Sequence, residues 1–228
     1  MIVCFDIGST LIDGPHIGPV RRLVDALELP QDAENILTRL LFTTDSGTPG
    51  GLAQTIVDIY AIDPKPTILA VKELWEAQIE EAYILAGAAE AVDRLRQEGF
   101  DIAFISNIWT PFYLGFLRCL PELAKNHPSF LSFQMGMAKP DMEIYRQALG
   151  KLGELPSTAV MVGDTYKNDI APAQLLGMRT IWLLHRPEKE KDDLVRVLNG
   201  NARPADLTLG TIGELQPWHI HDLIKVKA

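Results

Sequence analysis

The chain is short of cysteine, of positive charge and of long apolar runs, and each shortage removes a class of protein. Two cysteines in 228 residues, Cys4 and Cys119, cannot make a disulfide framework. Both sit in apolar stretches where a thiol simply packs, which also argues against metal ligation by cysteine. Lys and Arg total 21 against 30 Asp and Glu, a net charge of -9, and this speaks against general affinity for nucleic acid or anionic membranes. No apolar run approaches the roughly 18 residues of a membrane span. The opening Met1-Ile2-Val3-Cys4-Phe5-Asp6 lacks the basic region of a signal peptide and reaches an acid at once. No fixed period suggests a solenoid. The expectation is a cytoplasmic protein with neither nucleic acid nor membrane as partner. An anionic ligand would have to meet a local field opposing the global one.

What is present is a chain that is 47% hydrophobic, enough for a proper core. Short continuous apolar runs, the pattern of strands buried on both faces, occur at residues 1–5, 101–106, 158–163 and 178–184. Helical spacing separates them. Ala88, Ala91, Val92 and Leu95 mark one helix closed by Gly99, and Ile144, Tyr145, Ala148 and Leu149 mark another, started by Pro140 and Asp141. Alternating strand and helix predict an open, parallel α/β sheet.

Residues 15–85 break the alternation. Four apolar stripes, around Val20 to Leu27, Ile36 to Leu41, Leu52 to Ile59 and Ile68 to Ala82, predict four helices with no strand among them. Pro30, the Asp45 to Gly51 stretch and Asp63-Pro64-Lys65-Pro66 punctuate them, Lys65 being placed in a turn. The expected division is a core of residues 1–14 and 87–228 interrupted by a small helical domain at 15–86. Trp75, Trp109 and Trp182 are expected in the core, with Trp109 near enough to Ser106 to face a cavity.

In open α/β sheets ligands bind beyond the carboxyl ends of the strands. The polar residues there are Asp6 to Asp13, Ser106-Asn107, and Gly163-Asp164 through Asp169. A further segment, Gly136 to Asp141, contributes Lys139. Three carboxylates, a hydroxyl and an ammonium at one edge make a place for a divalent cation and a phosphoryl group. Oxygen ligands suit Mg²⁺, and Asp6 and Asp164 are its candidate ligands. Asp6 would attack phosphorus, while Lys139, the Ser106 hydroxyl and Asn107 hold the substrate. Asp169 is read as support for the metal and as a helix cap near Pro172.

These residues, in this order, resemble the haloacid dehalogenase-like (HAD) hydrolase superfamily. Phe5-Asp6-Ile7-Gly8-Ser9-Thr10 is similar to its first motif, Phe104-Ile105-Ser106-Asn107 to the second, Lys139-Pro140-Asp141 to the third, and Val162-Gly163-Asp164 through Asp169 to the fourth. The resemblance spans the chain. It implies a Rossmann-like three-layer core with an inserted helical C1 cap, Mg²⁺ held by Asp6, Asp164 and the Gly8 carbonyl, and an aspartyl-phosphate at Asp6 formed from a small phosphorylated metabolite.

The departure is Gly8. The family's phosphatases carry a second Asp there, the general acid and base, and such catalysis is worth about 10² to 10⁴ in rate. Asp13 is no obvious replacement, since the family commonly has both. Four readings follow: a phosphatase borrowing His16 or Asp45; a phosphonatase-like hydrolase using Lys65 or Lys72; a haloacid dehalogenase-like hydrolase; or a binding protein that turns nothing over. The first is preferred.

Overall fold

The computed structural model describes residues 1–30 and 32–225. In chain order the elements are β1 (Ile2–Phe5), β2 (Ile12–Asp13), α1 (Pro19–Ala26), α2 (Ala33–Thr43), α3 (Pro49–Tyr60), α4 (Pro64–Glu80), β3 (Tyr83–Ile84), α5 (Ala88–Gln97) and β4 (Asp101–Ser106). They continue with α6 (Thr110–Cys119), α7 (Pro121–Asn126), β5 (Ser129–Leu131), α8 (Ser132–Met135), α9 (Met142–Leu152), β6 (Ala159–Gly163), α10 (Ala171–Leu176), β7 (Arg179–Leu183), α11 (Lys191–Leu198), β8 (Leu207–Leu209) and α12 (Pro217–Lys225).

Six strands form one parallel sheet in the order β5-β4-β1-β6-β7-β8. Successive side chains of a strand face opposite ways, and the core follows that rule. Val3, Phe5, Ile102, Phe104, Val160 and Val162 pack under α5, α6 and α12, whereas Ile2, Cys4, Ala103, Ile105, Ala159 and Met161 pack under α9 and α10. The result is a three-layer α/β sandwich, as expected from the alternation. Both cysteines are free. Strands β5 and β8 escape sequence reading because three residues carry no periodic signal.

The register positions the functional residues. Ile2 pairs with both Asp101 and Ala159, and Phe5 with Phe104 and Val162. Three parallel strands therefore end side by side, which brings the residues after Phe5, those around Ser106 and those after Gly163 to one edge.

The four helices α1 to α4 enclose their own cluster of Leu23, Leu37, Leu41, Leu52, Ile56, Val71, Leu74 and Trp75. The expectation of no strand in this segment fails at its end. Tyr83–Ile84 pairs antiparallel with β2, Ile12 opposite Ile84 and Asp13 opposite Tyr83, so a two-stranded ribbon carries the chain into and out of the helices. Lys65 also lies elsewhere than expected, in the first turn of α4, where Pro64 needs no donor and the Asp63 carboxylate accepts from the Lys65 N–H.

Trp109 joins this cluster rather than facing a cavity. It is buried, stacks edge-on against Trp75 with centroids 5.8 Å apart, and donates Nε1–H to Gln78 Oε1 at 2.9 Å. Arg118 on α6 adds bonds to the carbonyls of Ile79, Glu80 and Ala82, and Thr110 donates to Asp45 at 3.3 Å. Gly87, at the return to the sheet, has φ +80°, and a Cβ there would lie 2.6 Å from Gly213 Cα, so both conformation and space demand glycine. Among the described residues no helix is long and apolar enough to cross a membrane.

Candidate active site at the carboxyl edge of the sheet

Asp6 follows β1 and keeps its pairing, its N–H donating to Val162 O at 2.9 Å. Asp164 follows β6, its carbonyl accepting from the Trp182 indole at 2.9 Å. Asp169 lies in a single π-helical turn, Tyr166–Ile170, a rare geometry that concentrates at functional sites. Its N–H donates to Thr165 O at 2.7 Å and its Oδ2 accepts from the Thr165 N–H at 3.0 Å. Asp169 thus closes the turn before it and does not cap α10, contrary to the cap reading. A Cβ on Gly163 would overlap this carboxylate, so the glycine preceding Asp164 is a requirement of space.

Lys139 binds the three segments together. Its Nζ lies 2.7 Å from Asp6 Oδ1, 2.5 Å from Asp169 Oδ1 and 2.9 Å from Ile105 O, with the side chain 2% exposed. All three ammonium protons are engaged. Burial works against the charge on Lys139, and Asp169 and Asp6 more than offset it, raising its pKa. Asp169 is also raised, first by burial, with Lys139 opposing and Asp6 adding to the shift. One ammonium between two carboxylates explains both directions, and the lysine is the charged partner. Asp164 is pushed up to about 8 by burial, then by Asp169 and Asp6, against the pull of Arg186.

Oxygens of Asp6, Asp164 and Asp169 all lie within 4.8 Å of one another. Two buried hydroxyls beside them, Thr10 Oγ1 and Ser106 Oγ, have no hydrogen-bond partner among the described residues. Three crowded carboxylates, with the pKa values of Asp164 and Asp169 raised, and unsatisfied hydroxyls fit a hard divalent cation and an oxyanion.

Asn107 has both ends of its amide on the Lys139 main chain, donating to its carbonyl and accepting from its N–H, each at 2.7 Å. It fastens the Lys139 loop to β4. Of the residues considered as replacement acids, Asp45 accepts from the Gly47 N–H and Thr110, and His16 is exposed on the ribbon side. Lys72 is exposed and paired with Glu76 at 3.8 Å.

Arg186 was not foreseen. It follows β7, pairs closely with Asp164 Oδ2, and reaches to 4.0 Å from Asp13 Oδ2. Asp13 in turn accepts from the Gly14 N–H at 2.9 Å and from Ser9 Oγ at 3.4 Å. The signal existed, because residues 178–184 were read as a strand and Arg186 lies just past its carboxyl end. A separate cavity of about 640 Å³, lined by Arg96, Phe100, Asp101, His127 and Glu154 among others, opens at the opposite end of the strands and contains none of these groups.

The sequence and the fold resemble those of known proteins. The sequence pattern of the haloacid dehalogenase-like hydrolases matches residues 1–177, and a second, HAD-hydrolase-like pattern matches residues 136–222. The ribulose-1,5-bisphosphate 5-phosphatase of Halopiger xanaduensis is 31% identical over 162 residues, which span 70% of this chain and 67% of that protein. A HAD-family enzyme of Bacteroides thetaiotaomicron, crystallised with magnesium and inorganic phosphate, superposes with a TM-score of 0.62 at 18% identity, covering 79% of this chain and 92% of that one. A 2-haloacid dehalogenase of Pseudomonas syringae pv. Tomato superposes over 100% of both chains with a TM-score of 0.58 at 20% identity. With its motifs gathered at one sheet edge and the family pattern covering most of its length, the chain belongs to the haloacid dehalogenase-like hydrolases.

Proposed function

We propose that the protein is a phosphatase acting on a small phosphorylated metabolite through an aspartyl-phosphate at Asp6. The observation that carries this reading is the convergence of Asp6, Asp164 and Asp169 around the Lys139 ammonium, beside the unpartnered Ser106 hydroxyl. Asp6, Asp164 and the Gly8 carbonyl would hold Mg²⁺, which supplies positive charge to the phosphoryl oxygens. Residues 15–86 would serve as the cap over the core of residues 1–14 and 87–228, with substrate between them in a cytoplasmic enzyme.

The residues supply distinct parts of the reaction. An Asp6 carboxylate oxygen bonds to phosphorus as the bond to the leaving oxygen breaks, that oxygen keeping the electron pair. Lys139 lowers the cost of two carboxylates at the site, and Ser106 donates to a phosphoryl oxygen. Asp169 and Asn107 hold Lys139 in place. Water then cleaves the Asp6–phosphorus bond, releasing inorganic phosphate and regenerating Asp6. With glycine at position 8, neither departure of the leaving group nor activation of water has the usual proton-transfer group.

The test is turnover of para-nitrophenyl phosphate with Mg²⁺, followed through its first seconds. A burst of para-nitrophenolate stoichiometric with enzyme, then slower turnover, is expected, and Asp6→Asn should abolish both. Undiminished turnover by Asp6→Asn would overturn the reading. A second reading, displacement of halide from a 2-haloacid by Asp6, is favoured by one observation, the guanidinium of Arg186 on Asp164. That chemistry also needs no protonated leaving group. It requires halide release that persists in a chelator.

A further inference from the structure

The backbone does not require glycine at position 8. Gly8 is not in the left-handed region, whereas its neighbour Ser9 accepts φ +55° without being glycine. Any residue type could therefore adopt the conformation of position 8. Ile7 is fully buried in the sheet cluster, and Gly8, two residues past Asp6 in the same loop, is bridged to Ile12.

The ring of Phe112 bounds the space beside Gly8. An ideal Cβ on Gly8 would stand 3.4 Å from Phe112 Cε1, and one on Gly14 would stand 2.8 Å from Cε2 of the same ring. The ring of Phe112 lies between the loop that begins at Asp6 and the end of β2. A side chain on Gly14 would force the ring to shift. An alanine at position 8 would just touch the ring, and a longer side chain would have to pass it or move it.

The ring is also held from behind. Phe112 is in the first turn of α6 and packs against both the sheet cluster and the cluster of α1 to α4. The residues leading into it are fixed, Trp109 among the helices, Pro111 buried, and Thr110 on Asp45. A side chain at the start of a helix whose entry is fixed in this way is suited to define the wall of a site.

We propose that Phe112 occupies the space of the missing acid/base side chain and is a specificity-determining residue. It makes the leaving-group side of the site an apolar aromatic wall. The inference rests on the phosphatase reading above and deepens it by naming the substrate class. An apolar wall offers no proton and poorly solvates a departing alkoxide. The site therefore selects phosphoryl compounds whose leaving group departs as a stable anion, namely acyl phosphates and aryl or enol phosphates. Their planar leaving groups can lie flat on the ring. In the first step the phosphorus–oxygen bond breaks with its electron pair going to a carboxylate, phenolate or enolate, which leaves without protonation.

The experiment compares wild type, Gly8→Asp, Phe112→Ala and the double variant with Mg²⁺. The substrates are acetyl phosphate, para-nitrophenyl phosphate, phenyl phosphate and glycerol phosphate. Wild type should prefer acetyl and para-nitrophenyl phosphate over glycerol phosphate by at least about 10² in kcat/KM, the size of the absent acid catalysis. Gly8→Asp alone should fail to flatten this preference, because the carboxyl meets the ring. The double variant should flatten it by tenfold or more. Flattening by Gly8→Asp equal to that of the double variant, or a wild type indifferent to the leaving group, overturns the inference while leaving the phosphatase reading standing. A folded protein that turns over none of the series overturns the phosphatase reading and the substrate class with it. Thermal unfolding then still judges the ring. Gly8→Asp should lower Tm with Phe112 present and lower it less in the Phe112→Ala background, and strictly additive shifts would show that the two positions do not meet.

Discussion

Replacing Lys139 by methionine tests the electrostatic heart of the site, because it keeps the stem and removes only the ammonium. The side chain is 2% exposed, and its two carboxylate partners are 10% and 1% exposed for Asp6 and Asp169. Two anions would then face each other with neither water nor counter-charge. Breaking a buried pair from one side costs about 3–5 kcal/mol, which for a chain of this length is a fall in Tm of about 6–20 °C. The variant can relieve the strain by protonating one carboxyl. Asp169 is already raised by burial and by Asp6 while Lys139 is present, and without the lysine it rises further. A group raised in the folded state contributes stability that is complete below its unfolded pKa and is lost as pH rises through the folded value. The penalty should therefore be largest above neutrality and shrink on acidification. One extra bound proton changes stability by about 1.4 kcal/mol per pH unit, and since Asp169 of the wild type, raised to about 6, itself takes up a proton toward pH 5.5, the penalty should fall by roughly 1–2 kcal/mol between pH 7.5 and 5.5.

The assay is urea unfolding of wild type and Lys139→Met at those two pH values in chelator, with Lys72→Met as a control. Lys72 pairs with Glu76 in the open at 3.8 Å, both 63% exposed, and its loss should have no measurable effect. A Lys139→Met penalty no larger than that of the control at pH 7.5, or one that is equal at both pH values, would refute the reasoning. The first result would mean that the carboxylates find other neutralisation. The second would mean that they do not titrate in the variant.

Other perturbations act on single links of the same structure. Because Asp164 is raised from 3.8 to about 8 by burial and its carboxylate neighbours, Mg²⁺ must displace a proton below that pH, and its affinity should strengthen by about tenfold per unit between pH 6 and 8; calorimetric titration giving one affinity across that range would contradict this. The same shift makes the metal-free protein lose stability as pH rises through about 8, since Asp164 is most stabilising below its unfolded pKa, and Mg²⁺ should raise Tm more at pH 8 than at pH 6. Gly163→Ala places a methyl group inside the Asp169 carboxylate and should cost about 1–3 kcal/mol together with most of the activity, measured by unfolding and by turnover of para-nitrophenyl phosphate. Trp109→Phe removes the donor to Gln78 and leaves a buried amide oxygen unpaired, a loss of about 1–3 kcal/mol that Gln78→Leu in the same background should partly restore.

How much of this was legible in the sequence follows from what each feature depends on. The four long strand signals and the helices between them were readable because burial on both faces writes continuous apolar runs, and two-residue β3 and three-residue β5 and β8 write nothing comparable. Asp6, Asp164 and Asp169 were readable as one cluster because parallel strands end together, so chain position predicts proximity. Asn107 was placed in the right neighbourhood, but its bridge to the Lys139 main chain was not foreseen. Its amide has the geometry to bridge a main-chain N–H and carbonyl, and only the fold decides that the Lys139 backbone comes within 2.7 Å. Arg186 stood just past a strand end, but an arginine before a proline looks like any loop residue until Asp164 is found beside it.

Position 8 shows where sequence reading stops for a physical reason. A glycine in place of an acid is a missing carboxylate, and nothing along the chain distinguishes a space left for solvent from a space filled by something else. The filling residue lies 104 positions later, on an element whose own apolar spacing explains Phe112 as ordinary packing. Gly14 was equally silent, since a glycine after a short strand reads as a turn. The three residues acquire meaning only together, as one ring and the two glycines that admit it. If that is the correct unit, restoring an acid to position 8 cannot restore acid catalysis until the ring is removed. The substitution that sequence comparison suggests first should then fail by itself and succeed in company.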